Sequence, residues 1–191
     1  MGSSGFPPLR AVLFDRDGTL VHDVPYNGDP ARVRTMPYAR EALAELRARG
    51  IATGVLSNQS GIGRGILTVE QVSAVNHRVE ELLGPFDVWD FCPHLPEDGC
   101  GCRKPAPGMI INACRRLGID TAAAAYVGDI GSDVAAAEAA GSRAVLVPTP
   151  VTLAAEVEAA PRVAAHLGAA LEMLLSPIDR PAGSPLSGAG L

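Results

Sequence analysis

The sequence predicts an α/β fold, a doubly wound, mostly parallel sheet of Rossmann-like type with helices on both faces. Three observations predict it. Short apolar runs alternate with helix-period segments along most of the chain, which is the pattern of βαβ units. Several of these runs stop at a polar cluster, as in Phe14-Asp15, Leu56-Ser57 and Val127-Gly128-Asp129. The 191 residues are 47% hydrophobic and 19% charged, enough for one compact domain with a full hydrophobic core.

Ala11–Phe14 is apolar throughout and runs straight into Asp15, so it is the first predicted strand. Residues 38–49 are rich in Ala, Leu, Glu and Arg, and Gly50 supplies a helix stop. Residues 51–56 form the next strand. Residues 68–83 make the clearest helix: Thr68 and Gln71 have capping-box spacing, and Val72, Val75, Val79 and Leu82 form a stripe. A strand over 86–91 leads into a loop rich in Cys and His. A helix over 107–117 carries proline in its first turn. Strands follow over 123–127 and 144–147, with a helix over 132–140 between them. Residues 161–175 predict the last helix, with Val163, Leu167, Leu171 and Leu174 on one face. The chain thus divides into a flexible start over 1–9, a single domain over 10–175, and a Pro/Gly/Ser-rich tail over 176–191 expected to be disordered. No internal repeat is visible.

Net charge is −5 and no Lys/Arg stripe forms, which disfavours nucleic acid as a partner, since phosphate-backbone binding needs concentrated positive charge. No stretch approaches the roughly 20 apolar residues that span a bilayer. The first residues lack the basic and apolar regions of a signal peptide. The expectation is a cytoplasmic, monomeric protein acting on a small molecule, without a membrane partner.

Asp15, Ser57 and Asp129 each fall at the end of a predicted strand. In an open parallel sheet those ends share one edge, where such folds bind ligands. Two carboxylates at i and i+2, in Asp15-Arg16-Asp17-Gly18-Thr19, can both face a ligand because Gly18 permits a sharp turn. One can attack phosphorus while the other manages protons, splitting a very slow hydrolysis into two steps. A solvated turn or a calcium loop is the plainer alternative for this motif alone. Asp129 and Asp133 put two further acids at a second strand end, ready to complete an all-oxygen site for a hard cation. Asp133 is equally suited to start a helix. Ser57 offers a hydroxyl and nearby N–H groups to phosphoryl oxygens, and Lys104 a positive charge.

Cys92, His94, Cys100 and Cys102 lie close in sequence. Three thiolates and an imidazole make a closed tetrahedral set, which points to structural zinc in preference to a disulfide in a reducing compartment. Cys114 shares a helix face with Ile110 and Leu117 and reads as core packing.

Taken together these residues resemble the haloacid dehalogenase superfamily. Asp15-Arg16-Asp17-Gly18-Thr19 is similar to its first motif, Ser57 to its second, Lys104 to its third, and Asp129 with Asp133 to its fourth, in the right order over residues 12–147. The resemblance implies that Asp15 is the nucleophile and Asp17 the general acid and later base. It also implies that Mg²⁺ is held by the Asp15 side chain, the Asp17 carbonyl and Asp129. A second acid in the first motif suits a phosphatase better than a dehalogenase, because a leaving alcohol must be protonated. The Cys/His loop resembles the zinc-containing branch that holds heptose bisphosphate phosphatases and histidinol-phosphate phosphatases. Residues 57–65 look closer to the heptose enzymes, and the short spacer between His94 and Cys100 to the histidinol-phosphate enzymes. The heptose resemblance implies substrate contacts from Arg103 and Lys104 and a pocket lined by Asp23, Tyr26, Ser57, Asn58, Gln59 and Ser60. Ile130 departs from it, since those enzymes commonly carry a basic residue after the fourth-motif Asp. The intervals on either side of Ser57 leave no room for a separate cap domain. The expectation is a sugar-phosphate phosphatase, with a heptose bisphosphate ahead of histidinol phosphate, and a non-catalytic zinc-stapled module as the reading from a different class.

Overall fold

The computed structural model describes residues 6–176. The tails expected over 1–9 and 176–191 lie outside the described residues except for 6–9 and 176. Five strands form one all-parallel sheet in the order β3-β2-β1-β4-β5, with β1 at Ala11–Phe14, β2 at Ala52–Asn58, β3 at Val88–Cys92, β4 at Ala124–Gly128 and β5 at Arg143–Leu146. Strand β1 lies between β2 and β4, so the winding direction reverses beside it. Phe14 is level with Val55 on one side and Val127 on the other. That register brings the residues after β1 and β4 together at the topological switch point, where a crevice opens in this type of sheet.

Alternate residues of each strand face opposite layers. Val12, Phe14, Val55, Val127 and Val145 bury against one core, packed with helices α1 (Ala39–Ala48), α3 (Val69–Leu83) and α7 (Leu167–Leu175). Leu13, Leu56, Val88, Tyr126 and Leu146 face the other, built with α4 (Gly108–Leu117) and α5 (Gly131–Ala139). Helix α3 has the expected capping box: Thr68 Oγ1 accepts from the Gln71 N–H at 3.2 Å, and Gln71 Oε1 accepts from the Thr68 N–H at 2.9 Å. Its buried stripe ends at Leu83, with Leu82 only partly covered. Among the described residues no separate cap interrupts the domain, and no helix is long and apolar enough to cross a membrane.

Four elements differ from the sequence reading. Strand β2 runs on through Ser57 and Asn58, because both pair with β3. The last helix begins at Leu167 where 161 was expected. Residues 162–164 are drawn into extended backbone by β5: the Leu146 N–H donates to the Arg162 carbonyl, and the Ala164 N–H to the Leu146 carbonyl, both at 2.9 Å. An edge strand has unpaired backbone groups that such a segment satisfies. His166 then caps α7, its Nδ1 accepting from the Ala169 N–H at 3.1 Å. Two short helices, α2 (Ser60–Gly63) and α6 (Ala154–Ala159), were not anticipated; α2 has four residues and α6 buries none, so neither writes an apolar stripe into the sequence.

Candidate active site

The loop after β1 is tightly wound. The Asp15 N–H still donates to the Val127 carbonyl at 2.9 Å, and the Leu20 and Val21 N–H groups both return to the Arg16 carbonyl at 3.0 Å. Gly18 has φ +79°, and a Cβ there would stand 2.2 Å from Asp129 Oδ2. Only glycine both adopts that backbone conformation without cost and lets the β1 and β4 loops approach so closely.

Lys104 sits at the bottom of the crevice and is 4% exposed. Its Nζ lies 2.7 Å from Asp15 Oδ1 and 2.6 Å from Asp133 Oδ1. It also donates to Tyr126 Oη at 2.8 Å and the Leu56 carbonyl at 3.1 Å. Every N–H of the ammonium therefore has an acceptor. Burial opposes its charge, but the carboxylates of Asp133 and Asp15 outweigh burial and hold it well above the ordinary lysine range. Tyr126 completes the arrangement by donating to the Leu56 carbonyl at 2.6 Å. The lysine backbone is held too, since the Asn58 amide accepts from its N–H at 3.1 Å and donates to its carbonyl at 3.0 Å.

Asp133 has both oxygens engaged. Oδ1 pairs with Lys104, while Oδ2 accepts from the Asp129 and Ile130 N–H groups at 3.2 Å each. It pins the β4 loop, as a helix-start carboxylate does, and anchors the lysine as well. Thr152 adds a second hold by donating from Oγ1 to the Asp129 carbonyl at 2.6 Å.

A cleft of about 350 Å³ opens above this floor. Asp15, Asp17, Lys104 and Asp129 form its base; Asp23, Val24, Pro25, Tyr26 and Asn27 wall one side. Asn58, Gln59, Ser60 and Gly61 close the β2 end, and Ile130, Ser132 and Val151 the other. Nine of the expected residues thus converge here: Asp15, Asp17, Asp23, Tyr26, Asn58, Gln59, Ser60, Lys104 and Asp129. Two do not. Ser57 is buried behind the wall, its Oγ taking a 3.3 Å hydrogen bond from Gln59 Nε2. Arg103 turns its guanidinium to the His94 carbonyl at 3.2 Å and is not part of the wall. Sequence reasoning passed over Arg16, Tyr126 and Thr152, each of which has a partner distant in the chain: Asn76, Lys104 and the Asp129 carbonyl. A tyrosine inside a predicted buried strand was the one available signal, because a buried hydroxyl needs a partner.

Asp15, Asp129 and Asp133 each offer an oxygen within 4.8 Å of the others. Burial pushes the Asp15 carboxyl up to about 7 against the pull of Lys104, with Asp133 and Asp17 raising it further. Burial, then the charges of Asp15 and Asp133, pushes Asp129 up to about 8. Carboxylates held this close, with the one lysine already shared, suit a hard divalent cation that takes oxygen ligands. Asp15 and Asp129 fit that role better than Asp133, whose oxygens are taken.

The Cys/His loop lies beside this floor. The Cys92, Cys100 and Cys102 Sγ atoms lie 3.1 to 3.6 Å from one another, and His94 Nδ1 lies 3.4 Å from Cys92 Sγ and 3.3 Å from Cys102 Sγ. A tetrahedral zinc site with Zn–S near 2.3 Å has ligand separations of roughly 3.8 Å, so the four donors fit with a small outward shift. Burial, with the Cys102 thiol beside it, pushes the Cys92 thiol up to about 12, so metal binding there must release a proton. Cys114 packs in the core beneath, 1% exposed.

The profile of the HAD-hydrolase-like family matches residues 101–172. The chain is 34% identical over 146 residues to the D-glycero-beta-D-manno-heptose-1,7-bisphosphate 7-phosphatase of Bordetella bronchiseptica, covering 74% of this chain and 82% of that one. It is 38% identical over 164 residues to the enzyme of the same name from Yersinia pestis, covering 80% and 87%. Its fold is similar to the crystal structure of the B. bronchiseptica D,D-heptose 1,7-bisphosphate phosphatase complexed with magnesium and phosphate. There the TM-score is 0.78 at 31% identity, covering 87% of this chain and 98% of that chain.

Proposed function

The chain belongs to the haloacid dehalogenase-like hydrolase family, and from that premise we propose that it is a magnesium-dependent phosphomonoester hydrolase acting on a small sugar phosphate. The observation that carries the reading is Asp15 at the base of the cleft, anchored by Lys104 through one oxygen and flanked by Asp17 and Asp129. A lysine bonded to Oδ1 orients the carboxylate and leaves Oδ2 to attack phosphorus. As the Asp15–phosphorus bond forms, the bond to the leaving oxygen breaks, and Asp17 gives that oxygen its proton. Asp17, now ionised, takes a proton from the water that attacks the aspartyl-phosphate. Inorganic phosphate departs and both carboxyl groups return to their starting states. A magnesium ion held by Asp15, Asp129 and the Asp17 carbonyl would neutralise charge on the phosphoryl oxygens. Zinc held by Cys92, His94, Cys100 and Cys102 would serve structure, bracing the loop that leads into Lys104.

The relatives' names support D-glycero-D-manno-heptose 1,7-bisphosphate, cleaved at position 7, as the substrate. Tyr26 and residues 58–60 supply a polar wall for a sugar. Clustered cysteines kept as thiols suit a reducing cytoplasm, and the protein is taken to work as a monomer. The test is hydrolysis of heptose 1,7-bisphosphate, histidinol phosphate and nucleotide monophosphates side by side, with Asp15→Asn as the control. Phosphate release from the heptose ester is expected to be fastest, and Asp15→Asn to lower it by about three orders of magnitude or more while staying folded. Equal turnover by Asp15→Asn would remove the mechanism, and no release from any ester would leave a zinc-stapled binding module.

A further inference from the structure

Arg16 separates the two carboxylates of the first loop, and it is among the largest fully buried side chains, 1% exposed. Its Nη2 donates to Asp17 Oδ2 at 2.7 Å, and its Nε approaches the same carboxylate at 3.1 and 3.2 Å. The remaining arm, Nη1, donates to Asn76 Oδ1 at 2.6 Å. Asn76 belongs to α3 and is not part of the cleft wall. Gln59 Nε2 adds a 3.0 Å hydrogen bond to Asp17 Oδ2. Oδ2 therefore takes three donors, whereas Oδ1 has only the longest Arg16 contact, and Asp17 lines the cleft. The Asp17 side chain is 25% exposed, against 2% for Arg16.

A guanidinium is a rigid plane, so the acceptor on one arm sets the direction of the other two. Val75 and Val79, on either side of Asn76, are buried in the core, so α3 holds the Asn76 backbone steady. We propose that Asn76 is a positioning residue for the proton transfer: acting through Arg16, it sets the plane of the Asp17 carboxyl so that Oδ1 faces the leaving oxygen. This rests on the reading of Asp17 as the group that protonates that oxygen.

The experiment compares kcat/KM, which reports formation of the phosphoenzyme, for two esters. The sugar phosphate has a poor leaving group that needs a proton, and p-nitrophenyl phosphate has a good one that does not. Asn76→Ala is expected to lower kcat/KM about 10-fold on the sugar phosphate and less than about twofold on the aryl ester, as a misaimed general acid should. Asn76→Asp keeps an oxygen acceptor for Arg16 and is expected to restore the sugar phosphate value to within about threefold. An equal loss on both esters, no loss on either, or a failure of Asn76→Asp to restore activity would overturn the proposal. Asp17→Asn is run beside them. If it spares the aryl ester while Asn76→Ala shows no such difference, the positioning role alone fails. If Asp17→Asn itself treats both esters alike, the reading of Asp17 fails and takes the proposal with it.

Discussion

Replacing Lys104 by methionine tests the floor of the cleft most directly. The substitution roughly keeps the volume of the stem but removes the cation shared by Asp15 and Asp133, at 2.7 and 2.6 Å. Lys104 is 4% exposed and Asp133 1%, so water cannot replace it without opening the site. Removing one member of a buried pair costs about 3–5 kcal/mol. For a chain of this size about 1 kcal/mol moves the melting temperature by roughly 2–4 °C, so the metal-free variant should melt about 6–20 °C lower at pH 8. The loss should depend on pH in a definite direction. Asp15 already titrates near 7 with the lysine present, and without that cation its pKa rises further. A carboxyl whose folded pKa lies above its unfolded value near 4 binds its proton more tightly when folded, so stability falls as pH rises between the two. The penalty is therefore largest at pH 8 and shrinks toward pH 6, where Asp15 can be neutral. Urea titrations of wild type and Lys104→Met at both pH values, in EDTA, measure it. A loss under about 1 kcal/mol at pH 8, or a larger loss at pH 6 than at pH 8, would refute the reasoning.

The same carboxylates bear on the wild type. With Asp15 near 7 and Asp129 near 8, metal-free protein should be less stable at pH 8 than at pH 6, and Mg²⁺ should raise the melting temperature more at pH 8, where it displaces fewer protons. Gly18→Ala should abolish Mg²⁺-dependent turnover by driving its Cβ into Asp129, 2.2 Å away, and a normal rate would show that the two loops can part freely. Elemental analysis should find about one zinc per chain in wild type, as a closed tetrahedral site predicts, and Cys102→Ser should lack it. Turnover should fall while melting drops by only a few degrees, because Asn58 still clasps the Lys104 backbone.

What could be read along the chain was whatever depends on neighbours in sequence. The run Ala11–Phe14 into Asp15, the capping pair Thr68 and Gln71, and the close set Cys92, His94, Cys100 and Cys102 are each complete within a short segment. Their placement follows from residue type and spacing, so the end of β1, the start of α3 and a cluster able to hold a metal were legible with no coordinates. The α3 stripe was legible to within one position, Leu83 taking the place of Leu82, because periodicity gives a face but not its limits.

The roles of individual side chains within the cleft waited on tertiary structure. The sequence made Lys104 a positive charge beside the site; only folding shows it enclosed by Asp15, Asp133, Tyr126 and Leu56. The contacts that decide this join residues 89, 48 and 22 positions apart, and the Arg16–Asn76 bond spans 60. No spacing rule reaches across such intervals. The start of the last helix was hidden for the same reason, since residues 162–164 are extended only because β5 presents its edge to them. Composition and periodicity determine which segments bury an apolar face and where polar clusters end strands. Which oxygen meets which ammonium depends on the parallel register of β1 against β2 and β4, a property of the assembled sheet alone.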